Sequence, residues 1–505
     1  MTKQNLKLVC TITLIALLLT SCTSESSKGF SSLRDFQSQS LDWQSCYTEN
    51  ECAELIVPID YENLELGTFE ISLLRYPAGN QKKRIGSLVI NPGGPGGSGV
   101  DYAYNAEYAF DPDVLDAFDI VGFDPRGVGR SEPIRCLTNN EIDDNYASDS
   151  KPDNPQELAL AVKESKDFIA KCLRKNKYLT HFGSENTARD IDILRAALGE
   201  EKLNYVGKSY GTYIGTLYAK LFPDKVGRVV LDGAVDPNVS VLEQNISQAV
   251  GFENALEAFI EDCGKFPNCP VAKGVDEAKQ EIISLLTSVA QNPLPQKSPY
   301  KSDARLATES ILLLGTASAL YEDVTGWPKL RKAIVEAKEG YGDTFIKLAD
   351  LYSGRQSNGN YPNNELDSGA VIDCLDWGNS RTLAQMAKDA ESFTAQSIVF
   401  GPYLAYSGLA CKYLSKTNKK TATAESNKIS KIDSTPVVII GTTRDPATPY
   451  QWAVGLHKIF TSSVLITLDA DGHTGHGRGS ECIDEAVDKY LLTGKTPQEN
   501  LDCKL

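Results

Sequence analysis

The stretch 205-YVGKSYGTYIG-215 admits two readings. Taken from Gly207, Gly-Lys-Ser looks like the end of a phosphate-binding loop. Taken as G-x-S-x-G, the same residues form a strand-to-helix turn that presents a nucleophilic serine. A phosphate loop needs a glycine five residues before its Gly-Lys pair, so that backbone N–H groups can turn inward around the phosphates. That position is Lys202, and it precedes the strand instead of following it. G-x-S-x-G alone is a weak motif, and its surroundings make it specific. The short apolar strand LNYVG leads in, and a helix carrying Gly211 and Gly215 leads out. Such a sharp turn strains the serine backbone and stands the Ser209 side chain clear of the sheet edge. Gly207 and Gly211 leave room for the turn.

A serine is a weak nucleophile without a base. The chain has four histidines: His181, His457, His473 and His476. In chain order Ser…Asp…His, the base belongs in a loop after the last core strand. LITLDADGHTGHG puts both His473 and His476 there. His457 falls within an expected helix, and His181 lies in a loop ahead of Ser209. The acid should follow the preceding strand, and VVIIGTTRDPATP places Asp445 in that loop, where its plainer role is a turn residue before Pro446. An oxyanion hole needs two preorganised backbone N–H groups. Tyr210, after the nucleophile, supplies one, and the loop NPGGPGGSG should supply the other. Residues 94–99 also match the dinucleotide pattern G-x-G-x-x-G. Pro95 stiffens that turn and no clear helix is expected at its third glycine. These glycines are therefore read as backbone bent over a substrate carbonyl, with no nucleotide.

Outward from the elbow, strands and helices alternate. AELIVPID and GTFEISLLRYP read as a hairpin, and RIGSLVIN, DAFDIVGFD, LNYVG and GRVVLDG as further strands. Residues 155–173, 187–198 (with Thr187 as N-cap) and 210–222 have helical periodicity. The alternation implies a mostly parallel sheet with helices on both faces. Helical signals then dominate from 238 to 430, before TPVVIIGTTRD, a helix over 449–459, SVLITLD and a helix over 481–492 resume the pattern. Too few strands follow 430 to fold alone. We therefore expect one core, 42–237 with 431–505, and a helical cap inserted at 238–430.

Lys3 and Lys7, an apolar run from Leu8 to Leu19, and Leu19-Thr20-Ser21-Cys22 resemble a lipoprotein signal over 1–21. The mature chain would begin at an acylated Cys22. A polar tether over 22–41 would link it to the extracytoplasmic face of a bacterial membrane. Ten cysteines remain beyond the signal and Cys22: Cys46, Cys52, Cys136, Cys172, Cys263, Cys269, Cys374, Cys411, Cys482 and Cys503. An even set in an exported chain reads as disulfides. Pairing neighbours in order is one arrangement among those the sequence allows. With no C-x2-C pair and few histidines, a metal site is not expected. The 67 acidic and 51 basic residues give a net charge of −16, which argues against a nucleic-acid partner.

The motifs together resemble the bacterial tripeptidyl aminopeptidase-like α/β-hydrolases, serine exopeptidases related to proline iminopeptidase. The resemblance runs from about Cys46 to Cys503. It rests on VPIDY, NPGGPGGSG, FDPRGVGRS, DIDILRAALG, YVGKSYGTYIG, VVLDGAVDP, TTRDPATP and GHTGHGRGSECIDEAVDKYLLTGKTP. It implies an α/β-hydrolase fold with Ser209 as nucleophile, Asp445 as acid and His473, in the GHT position, as base. Gly94 would be the second oxyanion donor beside Tyr210. It further implies peptide substrates and no cofactor. Cleavage from a free N-terminus needs a carboxylate to hold the ammonium group, and Asp236, Glu253 and Asp376 are the candidates. A carboxylesterase on the same scaffold is the rival enzyme class. A binding lipoprotein with a dead core is a third reading, against which the complete Ser, Asp, His set stands.

Overall fold

The computed structural model describes residues 30–297, 304–379, 381–414 and 428–505. Ten strands among them form one sheet in the order β1-β2-β3-β5-β4-β6-β7-β8-β9-β10. They are β1 (Gln44–Cys46), β2 (Asn50–Pro58), β3 (Thr68–Tyr76), β4 (Gly86–Asn91), β5 (Phe118–Phe123), β6 (Leu203–Lys208), β7 (Val226–Asp232), β8 (Val437–Arg444), β9 (Ser463–Asp471) and β10 (Leu501–Lys504). Pairing is antiparallel from β1 to β5 and parallel from β5 through β4 to β10. β4 and β5 are buried at every position, as expected of parallel strands covered on both faces. Side chains alternate across the sheet. Val89, Tyr205, Leu231 and Ile439 join one core, whereas Leu88, Ile90, Val206, Val230 and Ile440 join the other.

β7 and β8 are hydrogen-bonded neighbours in register, with Val230 opposite Val438. Between them the chain leaves the carboxyl edge of β7 and runs through a helical block. This block includes the helices Val241–Cys263, Glu309–Leu320 and Glu365–Asp376. It has its own apolar core around Leu256, Phe259, Leu312, Leu330 and Phe393. The cap thus rises from the sheet edge where open α/β sheets bind ligands. The helix Glu365–Asp376 is fastened to the core below it. Buried Asn364 bonds Gly127 and Ile134 carbonyls, both at 2.8 Å, and Asp367 Oδ2 accepts from Cys136 N at 2.6 Å.

Five disulfides join the cysteines in sequence order: 46–52, 136–172, 263–269, 374–411 and 482–503. Three local expectations need correction. The helix expected from Thr187 starts at Ser184, because Asp376 accepts the Ser184 N–H at 2.8 Å and anchors an earlier turn. The polar tether is packed down from Phe30 onward. A helix at Leu33–Gln37, opened by a Ser32–Asp35 capping box, buries Phe36 completely, and Gln39 bonds both backbone groups of Ile56 at 2.9 Å. A helix does open at the third glycine of GPGGSG, as Gly99–Tyr104. Its N-terminus is already occupied by an anion of the protein. Asp124 accepts from Ser98 Oγ and from Val100 N, where a phosphate would otherwise sit. Cys22 and the signal lie outside the described residues.

Candidate active site

β6 hands the chain to the helix Tyr210–Leu221 through Ser209 alone. Ser209 sits at φ +53°, ψ −125°, a region that L residues rarely enter. Three bonds hold it there. Its N–H donates to Asp232 O at 2.8 Å, and its carbonyl accepts from Thr212 N at 2.9 Å and Thr212 Oγ1 at 2.6 Å. A Cβ on Gly207 would come within 2.5 Å of Gly211 O, so no side chain fits at that entry.

The loop after β4 closes over this turn. Gly93 has φ +96°, and a Cβ there would lie 2.5 Å from Lys208 O and 2.9 Å from Tyr210 N. Backbone therefore meets backbone where Gly93 packs on the elbow, and the Gly94 N–H follows it directly in the chain. Among the described residues neither N–H has an acceptor, and both are free for a developing oxyanion.

β8 and β9 deliver the acid and the base. His473 Nδ1 is 2.9 Å from each oxygen of Asp445. The Asp445 carboxylate also accepts from Ala447 N, Thr448 N, Thr448 Oγ1 and Thr474 N, at 2.8–3.0 Å. Burial pushes this carboxyl up, but the His473 charge and these bonds outweigh it and hold the pKa below the ordinary 3.8. With Nδ1 committed to Asp445, Nε2 is the basic nitrogen of His473. The base and the elbow meet through the end of β7: Ser209 is bonded to Asp232, and a Cβ on Gly233 would be 3.4 Å from His473 Cε1. From the cap, Tyr321 covers the base. Its carbonyl accepts the His473 N–H at 3.0 Å, and its ring meets the imidazole edge-on at 5.1 Å.

His476 points elsewhere. It is 2% exposed, its ring lies 5.9 Å from Phe110, and its Nε2 is 3.5 Å from Asp488. Its backbone is what the site uses. Asp232 accepts the N–H groups of Gly475 (2.8 Å) and His476 (3.0 Å), and Lys208 Nζ donates to His476 O at 2.7 Å. Lys208, the variable residue of the elbow, thus ties the nucleophile turn to the histidine loop. Sequence reasoning did not reveal this bracket, because Asp232 reads simply as a strand end. His457 bonds Ser463 at 2.8 Å within its helix-to-strand turn.

The three carboxylates expected to bind an ammonium group do not gather at the site. Asp236 caps Asn238 N at 2.9 Å and packs on Gly455. Glu253 is buried inside the cap, where Oε2 accepts from Ser397 Oγ at 2.8 Å and Val399 N at 3.1 Å. Asp376 does reach the site's edge. It bonds Ser184 N and the Tyr210 hydroxyl, and burial raises its pKa to about 6.

Two further carboxylates, Glu365 and Asp373, lie on the same helix as Asp376. Glu365 O and Ser368 Oγ lie 3.1 and 2.7 Å from the place a Cβ of Gly96 would take, so this helix packs on the oxyanion loop. Glu365 and Asp373 are two turns apart and share a face. Both are partly exposed, yet burial raises both pKa values, that of Asp373 to about 7 with help from Asp376. Among the described residues neither carboxylate has a hydrogen-bond partner. Their one sequence signal was an acidic residue recurring on one face of VIDCLDW and the turns before it.

The chain matches the alpha/beta hydrolase fold family over residues 86–273 and the family described as TAP-like protein over 396–503. It is 35% identical over 479 residues to serine protease Hip1 of Mycobacterium tuberculosis, covering 92% of this chain and 91% of that one. It is 34% identical over 459 residues to carboxylesterase B of the same species, covering 90% and 86%. It is 30% identical over 493 residues to tripeptidyl aminopeptidase of Streptomyces lividans, covering 92% and 86%.

Proposed function

The chain belongs to the TAP-like α/β-hydrolases, and from that premise we propose that it is a serine peptidase that releases short peptides, tripeptides by preference, from a free N-terminus. The observation that carries the proposal is the Asp445–His473 pair and a strained Ser209, both brought to the end of β7 at Asp232 and Gly233. Ser209 Oγ attacks the peptide carbonyl while His473 Nε2 takes its proton, and Asp445 holds the ring and stabilises the imidazolium. The carbonyl oxygen gathers charge between the Gly94 and Tyr210 N–H groups. The C–N bond then breaks, and His473 passes its proton to the leaving amine. Water, deprotonated by the same nitrogen, hydrolyses the acyl-enzyme and restores Ser209.

Exopeptidase action requires a receptor for the ammonium group. Glu365 suits it: an unpaired carboxylate, half-buried, on a helix fixed to the core and laid against the oxyanion loop. Free peptides are expected to be cut and N-acetylated ones spared. Glu365→Gln should lower kcat/KM for free peptides by about 100-fold, the value of a lost buried charge pair, while leaving a short acyl ester within a few-fold of wild type. Equal cleavage of acetylated peptides would remove the exopeptidase reading. Ester turnover with no peptide release would instead favour the carboxylesterase alternative, which the relative named carboxylesterase B keeps in view.

We place the protein outside the cytoplasm, held by lipid at Cys22. The basic start, the apolar run and the small residues before Cys22 support this, as does the use of all ten later cysteines in disulfides. Mass spectrometry of the mature protein is expected to find an acylated Cys22 as the first residue; an unmodified N-terminus elsewhere removes the anchor.

A further inference from the structure

The loop that carries the base is gripped by one guanidinium. Arg478 Nη2 donates to Asp471 O at 2.8 Å, and Nη1 donates to Thr474 O at 3.2 Å. These carbonyls stand two residues before His473 and one after it, so the arc 472–474 is tied at both ends. Its middle is tied as well, because the His473 N–H donates to Tyr321 O at 3.0 Å. The arc needs such ties. Thr474 sits at φ +67°, and a non-glycine residue keeps a left-handed backbone only where its surroundings hold it. There is no slack either: a Cβ on Gly472 would collide with both Arg478 Nη2 and Tyr321 O.

The far side of the guanidinium belongs to the cap. Nη2 also donates to Asp323 Oδ1 at 3.2 Å, and the buried Nε is 3.7 Å from Glu322 Oε1. The Arg478 side chain is 8% exposed, so salt and water screen these charges weakly. Tyr321 and Glu322 form the corner between the cap helices Glu309–Leu320 and Asp323–Lys338. That corner is tight, since Gly326 of the second helix lies against the Ala319 carbonyl of the first, where an added Cβ would collide with it.

We propose that Arg478 is a positioning residue for the base, clasping the two carbonyls around His473 and anchoring that clasp on the cap at Asp323. Asp445 fixes the ring end of His473. Arg478 and Tyr321 fix its backbone end, and both of these supports lead to the cap. The cap thus sets where Nε2 meets Ser209 Oγ, in addition to deciding what enters. This role rests on the triad mechanism above, whichever substrate is cut. Arginine fits it because its planar fork serves several acceptors at fixed angles, whereas a lysine ammonium is a point charge on a flexible stem.

The test uses full-length protein, a tripeptide p-nitroanilide with a free N-terminus and a short acyl p-nitrophenyl ester. Exhaustive fluorophosphonate labelling counts the folded sites, so that kcat is expressed per site. Arg478→Gln should lower kcat about 10–100-fold on whichever of the two is cut, the scale for a reacting group misplaced by about 1 Å, with KM within about three-fold. Arg478→Lys should lie closer to the glutamine variant than to wild type. Asp323→Asn leaves the bonds within the loop intact. It should cost about 2–5-fold in kcat, as for a partly exposed ion pair, and nothing further when added to Arg478→Gln. Arg478→Ala should regain activity in millimolar guanidinium chloride and not in equal sodium chloride. Guanidinium does not stabilise folded protein, so that gain reports a refilled clasp. An unchanged kcat per site in Arg478→Gln would overturn the positioning role, and a raised KM at constant kcat would make Arg478 a substrate ligand instead. A full Asp323→Asn loss on top of Arg478→Gln would detach the cap from the base. Should the arginine variants not fold, Asp323→Asn decides alone, and wild-type kcat there would overturn the anchoring. Wild type that cuts neither substrate and takes no label would overturn the triad mechanism itself, and the clasp with it.

Discussion

Ser209→Ala is expected to lower kcat by about a million-fold, the scale seen when a triad nucleophile is removed, with KM little changed. Labelling by a fluorophosphonate probe should vanish with it. The same position makes an opposite prediction for stability. Ser209 is held at φ +53°, ψ −125°, and a backbone in such a region stores about 1–3 kcal/mol. Alanine keeps a Cβ and so keeps the strain. Glycine relieves it, at a cost of about 0.4–1 kcal/mol in unfolded-chain entropy. Ser209→Gly should therefore be as inactive as Ser209→Ala and yet more stable than wild type by about 1–2 kcal/mol, measured by denaturant unfolding. A glycine variant less stable than the alanine variant would show that the turn is not strained. Failure of wild type to react with the probe, in a folded sample, would revive the reading of an inactive binding protein.

The elbow was legible in the sequence because its cause is local. A buried strand, one residue and a glycine-spaced helix dictate the turn wherever they occur. The acid and base were legible for a related reason: loops after parallel strands converge at one sheet edge, so order along the chain pointed to Asp445 and to the loop of His473 and His476, and only the resemblance in the GHT segment chose between the two histidines. The bracket of Lys208 and Asp232 was not legible. It depends on β7 lying between β6 and β8, and nothing in VVLDG marks its aspartate as the cap of a loop more than two hundred residues away. The placing of the candidate carboxylates was illegible for the same reason. Glu253 and Glu365 are both acidic residues on amphipathic cap helices. Only packing shows that the first is turned into the cap's own core, while the second sits on a helix whose backbone packs against the oxyanion loop. Likewise the stretch 22–41 reads as a polar tether, and only the burial of Phe36 against the helix Ser184–Ala197 shows that its second half is packed on the core.

The two histidines three residues apart give the second large effect. His473→Ala is expected to lower kcat about as far as Ser209→Ala, since base and nucleophile act as one unit. His476→Ala should stay within about ten-fold of wild type. The contacts through which residue 476 serves the site are its N–H on Asp232 and its carbonyl on Lys208, and alanine keeps both. What it loses is the ring against Phe110 and the Nε2 contact to Asp488, together a loss of about 1–3 kcal/mol. Acid unfolding separates the two independently of turnover. Asp445 has a folded pKa below its ordinary value. It therefore contributes stability that is present above the unfolded value of about 3.9 and is lost as pH falls through the folded one. The imidazolium of His473 is the largest influence lowering it, set against a burial effect that raises it. Without that ring the largest lowering influence is gone, the Asp445 pKa rises, and the acid-unfolding midpoint of His473→Ala moves to higher pH. In His476→Ala the pair is intact and the carboxyl stays depressed, so the pH midpoint attributable to Asp445 should not move even though overall stability drops. If His476→Ala abolished turnover and shifted that midpoint while His473→Ala did neither, the base would be His476, and the Nδ1 contact to Asp445 would be only a structural bond.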